Sequence, residues 1–317
     1  MKHSIPNGVW PTMITPFTDS DEVDYFALEQ LIEWYIGQGV HGLFAVCQSS
    51  EMFFLSLEER VQVARFVKQR AAGRVPVIAS GHVSERFEDQ VEELKRMADT
   101  GVDAVVLVSN RLAAPEESDE LWVQRTRKLL DRIPDVPFGI YECPYPYKRL
   151  LSPAMLEWCA STGRFLFLKD TCCDLSGIAN KLDAVKGSSL QIFNANSATL
   201  LESLRLGAAG FSGVMANFHP DLYVTLTELW KNDPDQAEKL QSFIGPASLI
   251  ELQMYPVNAK YHLQQRGLPI KIHCRSKDVT AFRENHRLEV RQLDSLYKLF
   301  KEQMAKGSEG SVSELGR

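Results

Sequence analysis

The feature that most constrains this chain is a repeat. A short run of apolar, mostly branched or aromatic residues is followed by a stretch with helical spacing, and the unit recurs eight times before about residue 232. The runs are Gly8–Thr15, Gly42–Val46, Val75–Ser80, Ala104–Val108, Phe138–Tyr141, Phe165–Leu168, Leu190–Phe193 and Gly210–Val214. Such runs read as strands buried on both faces, as in a parallel sheet covered by helices. Between them, Leu28, Leu31, Ile32, Tyr35 and Ile36 form one helical stripe that ends before Gly39. Ser56 and Glu59 form a capping box, Ser84 precedes another helical stripe, and Ser152-Pro153 has the order of an N-cap and first helical residue.

Eight such units predict an α/β fold, a (β/α)8 TIM barrel over residues 1–232. No Gly-x-Gly-x-x-Gly follows the first run, which weakens a dinucleotide-binding open sheet. From about Asp235 the strand signal stops. Asp235–Gln265 and Ser276–Met304 read as helices joined by Gly267–Cys274, a C-terminal helical appendage over residues 233–305 that makes subunit contacts or covers a barrel end. The polar, Gly/Ser-rich stretch 306–317 reads as a disordered tail.

Composition narrows the partners. Of 317 residues, 44% are hydrophobic and 24% charged, as in ordinary globular proteins. A net charge of −6 argues against nucleic acid or an anionic membrane as the main partner. Prolines 6, 11 and 16 interrupt the N-terminus, so no signal-peptide core is expected, and no apolar run of membrane-spanning length occurs. The expected location is the cytoplasm. Six cysteines without a C-x-x-C pair read as free thiols, and scattered histidines give no metal-ligand spacing, so no metal is expected.

In such a barrel, catalytic side chains lie where strands end and loops begin. The fifth run ends at Tyr141-Glu142 and the sixth at Lys169-Asp170. The second ends in Gln48-Ser49-Ser50-Glu51, the fourth in Asn110-Arg111, the seventh in Asn194 and Asn196. Lys169 follows four apolar residues, so its ammonium sits among apolar walls, where burial lowers a lysine pKa and favours a nucleophilic amine. Its alternative role is a structural ion pair with Asp170 or another acid. Tyr141 on the adjacent strand end is a proton carrier or a packed aromatic. Gln48, Ser49 and Ser50 form a carboxylate-holding turn or an ordinary strand-to-helix turn.

Taken together, these positions resemble the dihydrodipicolinate synthase / N-acetylneuraminate lyase family of class I pyruvate-dependent aldolases. The resemblance runs from Gly8 to Trp230. It is carried by Thr15-Pro16-Phe17, Asp24, Gly39-Val40-His41-Gly42, Leu55-Ser56-Leu57-Glu58-Glu59-Arg60, Val75-Pro76-Val77-Ile78-Ala79, Gly101-Val102-Asp103-Ala104, Tyr141-x-x-Pro144, Lys169-Asp170 and Gly207-Ala208-Ala209-Gly210. It implies a 2-oxo acid such as pyruvate bound as a Schiff base to Lys169, with Tyr141 moving protons. It also implies no bound cofactor, because the imine is the electron sink, and a homo-oligomer built as a dimer of dimers.

The departures concern the relay and the second substrate. Gln48 stands where the family has the threonine that links its catalytic tyrosine into a relay. Asn110-Arg111-Leu112 replaces the paired tyrosines after strand four. Pro146 stands where an arginine grips the second substrate's carboxylate, so the chain does not read as a typical dihydrodipicolinate synthase. The acidic residues that sialate lyases carry after strand seven are asparagines here. Glu142, with Tyr145 and Tyr147, suggests a distinct acceptor pocket, and Arg111, Lys148 or Arg149 is expected to reach a distal acidic group of the second substrate. The leading expectation is reversible aldol cleavage or condensation. Dehydration of a deoxy sugar acid through the same imine and non-catalytic binding of a 2-oxo acid are the alternatives.

Overall fold

The computed structural model describes residues 4–314. Eight strands form one sheet: β1 (Gly8–Val9), β2 (Leu43–Phe44), β3 (Val77–Ala79), β4 (Ala104–Val108), β5 (Phe138–Tyr141), β6 (Phe165–Asp170), β7 (Gln191–Asn194) and β8 (Gly210–Phe211). Neighbours pair in the order β1-β8-β7-β6-β5-β4-β3-β2, every pair parallel. A parallel bridge between Thr12 and Phe44 joins the two ends, with Phe44 N–H donating to the Pro11 carbonyl at 3.1 Å. The sheet is therefore a (β/α)8 barrel. The first strand pairs over two residues rather than to Thr15, since Pro11 has no N–H to give a ladder.

Helices follow the strands in turn, and their starts are written locally. Asp24 caps Tyr25–Gly37, Ser56 and Glu59 form both halves of a capping box at Leu57–Ala71, and Ser152 caps Pro153–Ser161. Ser84 does not cap its helix. That helix begins at Phe87, and the Ser84 hydroxyl donates instead to Glu93 at 2.8 Å.

The barrel interior is a solid aromatic plug. Trp10, Phe44, Phe167 and Phe193 are all fully buried, with Phe167 and Phe193 stacked at 4.6 Å and Trp10 at 5.6 Å from Phe167. The plug depends on glycine. A Cβ on Gly42 would lie 2.3 Å from the Trp10 ring, and one on Gly210 would lie 1.9 Å from the Gly8 carbonyl where β8 meets β1.

The last barrel helix, Pro220–Leu229, is followed by Pro234–Ala247, Val257–Gln265 and Glu284–Glu314. Two expectations for this region change. The stretch 235–265 is not one helix: the first helix carries Pro246 in its last turn and stops at Ala247, and a 3-10 turn, Ser248–Leu252, follows. Residues 276–283 hold no α-helix, and their one helical piece is a 3-10 turn at Val279–Ala281. They run over the barrel mouth, where the N–H groups of Arg275 and Ser276 donate to Glu51 at 2.7 and 2.8 Å. The last helix is Glu284–Glu314. Of the tail expected to be disordered over 306–317, residues 315–317 lie outside the described residues. Leu240, Ile244, Leu263, Leu293 and Tyr297 of the appendage join the barrel's own hydrophobic core. Among the described residues no helix is long and apolar enough to cross a membrane.

Candidate active site

Side chains alternate along a strand, so every second residue of β5, β6 and β7 points into the barrel. Phe167 and Phe193 set the inward parity of β6 and β7, and Lys169 follows Phe167 by two. On β5, Tyr141 faces inward against Phe44, 5.9 Å between ring centroids. Lys169 and Tyr141 are paired across β5 and β6. They meet just above the aromatic plug, with the Lys169 Nζ 4.5 Å from the centre of the Tyr141 ring.

Both are nearly inaccessible, 4% exposed each. Lys169 makes no ion pair with Asp170, whose carboxylate points the other way. Burial without a partner lowers the Lys169 pKa below its ordinary value, with Cys47, Cys143 and Glu251 opposing only weakly. Burial drives the Tyr141 phenol well above its ordinary pKa, so it stays protonated. The Tyr141 hydroxyl donates to the Gln48 Oε1 at 3.3 Å, and the Cys143 thiol lies 3.4 Å from the same oxygen. The glutamine oxygen thus accepts the tyrosine's hydrogen bond while the proton stays on the phenol. A carbonyl oxygen has no proton to pass on, so the chain of transfer ends there.

A cavity of about 410 Å³ opens above this pair. Gln48, Ser49, Tyr141, Lys169 and Asn196 line it, together with Lys148, Phe53 and Tyr145. The Ser49 hydroxyl sits 3.1 Å from that of Thr12. In the turn Cys47–Glu51 the N–H groups of Ser50 and Glu51 are spent on the carbonyls of Cys47 and Gln48, whereas those of Gln48 and Ser49 have no acceptor among the described residues. Gln48 and Ser49 line the cavity together with Lys169.

Other expected site residues lie elsewhere, for one recurring reason. Glu142 and Asn194 come one residue after the inward-facing Tyr141 and Phe193, so they point out toward the helices. Glu142 is fully buried. Its carboxylate takes Lys181 Nζ at 2.5 Å and the N–H groups of Leu151 and Thr171 at 2.8 and 3.0 Å. Lys181 also binds Asp170 at 2.6 Å. Asn194 donates to Thr199 and Ser203 at 3.0 Å each. Ser50 is structural, its hydroxyl 2.6 Å from the Met13 carbonyl and 2.9 Å from that of Ala45. Arg111 packs its guanidinium over Phe53 at 5.3 Å, outside the cavity wall. Arg149 is spent on Ala114, Glu117 and Asp119.

Five cavity residues come from the appendage, where no site was expected: Glu251, Tyr255, Pro256, Ser276 and Lys277. Tyr255 and Glu251 reach the barrel mouth from the far end of the sequence. The Tyr255 hydroxyl accepts from Asn217 Nδ2 at 3.1 Å. Burial pushes the Glu251 carboxyl up to about 7, and the charge of Lys169 only partly offsets this. The appendage is pinned in place by Glu51. Burial alone raises that carboxyl, but Lys260 at 2.7 Å, with the Cys274 thiol and two N–H donors, holds it below its ordinary value. Glu51 adopts φ 61, a left-handed conformation for a non-glycine residue. The only local signals for this arrangement are Gly245-Pro246 and Tyr255-Pro256, which break the apparent long helix.

A parallel barrel with an unpaired, desolvated lysine beside a protonated tyrosine at its mouth defines a Schiff-base lyase as the class of protein. The particular family follows from comparison: the Dihydrodipicolinate synthetase family model matches residues 5–295, and the chain belongs to that family. It is 28% identical over 263 residues to the 4-hydroxy-tetrahydrodipicolinate synthase of Psychrobacter arcticus, covering 82% of this chain and 86% of that protein. A synthase of the same name from Natronomonas pharaonis is 28% identical over 262 residues, covering 81% and 87%. Dihydrodipicolinate synthase from Acinetobacter baumannii, solved in complex with pyruvate, superposes with a TM-score of 0.81 at 25% identity, covering 90% of this chain and 97% of that one. YagE, a prophage protein of Escherichia coli K12 also solved with pyruvate, shares the fold with a TM-score of 0.82 at 22% identity, covering 93% and 98%.

Proposed function

We propose that the protein joins or separates pyruvate and an aldehyde through an imine on Lys169, and that it is not a dihydrodipicolinate-forming enzyme. The observation that carries the first part is the state of Lys169: buried, unpaired and 4.5 Å from the ring of Tyr141. A neutral amine attacks the carbonyl carbon of the 2-oxo acid, and loss of water gives a protonated imine. Removal of a proton from the neighbouring carbon gives an enamine, whose electron pair forms the bond to the aldehyde carbon while the aldehyde oxygen gains a proton. Hydrolysis of the imine frees the product, and the reverse sequence is cleavage. Tyr141, kept protonated by burial, exchanges protons with substrate and water, and Gln48 orients its hydroxyl. The N–H groups of Gln48 and Ser49 are the donors for the 2-oxo acid's carboxylate.

The second part rests on what lines the acceptor side. Pro146 stands in place of an arginine, and among the described residues no arginine lines the cavity. Asn196 borders it, while Asn194, Glu142 and Arg111 play supporting roles outside. Assembly as a homo-oligomer, a dimer of dimers, belongs to the same proposal. Its support is a set of exposed leucines on the appendage, Leu249, Leu252, Leu296 and Leu299.

The test is proton exchange. Wild-type protein incubated with pyruvate in deuterated water is expected to replace the methyl protons of pyruvate, seen by NMR, and Lys169→Arg is expected not to. A protein that binds pyruvate without exchange contradicts enamine chemistry and leaves a simple binder. Product analysis then separates the two lyase chemistries. Cleavage of a longer 2-oxo acid releases pyruvate and an aldehyde, whereas dehydration conserves the carbon skeleton.

A further inference from the structure

The imine chemistry leaves one group at the cavity without a role. Glu251 lies on the turn Ser248–Leu252 and lines the same cavity as Lys169. It is half-buried, and among the described residues its carboxylate has no hydrogen-bond or ion-pair partner. Other carboxylates around the mouth are engaged: Glu51 by Lys260, Glu142 and Asp170 by Lys181. A carboxylate drawn partly out of water with no donor is costly, and a ligand that supplies a donor recovers that cost. Cations are poorly placed to compete for the space. The Lys148 ammonium donates to the Thr171 carbonyl at 2.9 Å, and Lys277 stands exposed at the rim. The remaining wall is aromatic, Phe53 against Tyr145 at 4.9 Å. A group bound next to the imine therefore meets an acceptor oxygen and ring faces.

We propose that Glu251 is the specificity-determining residue for the second substrate, accepting a hydrogen bond from a hydroxyl on the carbon beside the aldehyde and so selecting a neutral hydroxylated aldehyde over one with a carboxylate there. The inference rests on the Lys169 imine reading. A substrate carboxylate at that position sets two anions together in a poorly solvated cavity, whereas a hydroxyl offers the missing donor. Because burial brings the Glu251 carboxyl up to about 7, the repulsion is present above that pH and fades below it.

Glycolaldehyde and glyoxylate are suitable probes, since they differ at one carbon, a hydroxymethyl group against a carboxylate. The ratio of kcat/KM for the two aldehydes, with pyruvate as co-substrate, is measured from pH 6 to 8.5 for the wild type, Glu251→Gln and Glu251→Ala. The wild type is expected to favour glycolaldehyde by about tenfold or more at high pH, with the preference falling as pH drops through about 7. In Glu251→Gln the ratio loses its pH dependence and glyoxylate gains, chiefly through a lower KM. Equal ratios in the wild type and Glu251→Gln, or a wild-type preference for glyoxylate, overturn the assignment. Borohydride trapping of pyruvate on the wild type keeps the two readings apart. Without an adduct on Lys169 both fail; with an adduct and an unchanged ratio, only the role of Glu251 fails.

Discussion

Lys169 and Lys181 are both 4% exposed, lie at the same end of the barrel, and are held in opposite states. Lys181 sits on the outer side of β5 and β6 between two carboxylates, Glu142 at 2.5 Å and Asp170 at 2.6 Å. Burial alone lowers its pKa, but the two acids outweigh that and raise it. Lys169 faces inward from the next residue to Asp170 and has no acid within ion-pairing distance, so burial prevails and its pKa falls. The same side chain is a structural cation on one face of the strand and a nucleophile on the other. What separates them is the supply of partners, and the pleat decides which face receives it.

The comparison breaks first at Lys169. Replacement by alanine is expected to reduce turnover by at least about 10^4-fold while leaving the fold intact, since the covalent step has no other amine at that position. A loss below tenfold in steady-state assays means another group carries the chemistry. Tyr141→Phe comes next, with turnover expected to fall by about 10^2- to 10^4-fold and pyruvate still trapped on Lys169 at longer incubation. Unchanged exchange of pyruvate protons in this variant removes Tyr141 from the mechanism.

Lys181→Met tests the opposite face. It strands two buried carboxylates, so denaturant unfolding is expected to show a loss of about 3–5 kcal/mol. A stability change below about 1 kcal/mol means the pair contributes nothing net. The smallest effect is the most diagnostic, because the two lysines carry opposite pH signs. An unfolded lysine titrates near 10.5. Lys169 titrates below that in the folded protein, so between the two values the unfolded state binds more protons and stability rises with pH. Lys169→Met is therefore expected to be more stable than the wild type at pH 7, with the gap narrowing as pH approaches 10.5. Lys181, with its raised folded pKa, loses its contribution only as pH climbs past 10.5. Parallel urea midpoints against pH for the two methionine variants contradict the comparison.

Where the sequence was legible, the physics is local. Strands β4 and β5 fall on the runs Ala104–Val108 and Phe138–Tyr141, and the Ser56 capping box forms as its spacing requires. Lys169 and Tyr141 were visible because an apolar run ended in a polar residue at each. Glu142 and Asn194 stood out by the same criterion but lie on the other side of the pleat, and parity with Tyr141 and Phe193 would have excluded them. Glu251 and Tyr255 had no such signal. They reach the mouth only because Glu51 and Lys260, separated by more than 200 positions, pair at 2.7 Å and draw the appendage over the barrel. Long-range placement of this kind is fixed by tertiary packing and leaves little periodicity to detect.

The most direct test of the contrast between the two lysines is covalent. Intact protein is incubated with pyruvate and borohydride, weighed, and mapped by peptide. The account predicts a single pyruvate-sized adduct on Lys169 and none on Lys181, Lys148 or Lys277. No adduct on folded protein, or an adduct on any lysine other than Lys169, contradicts it.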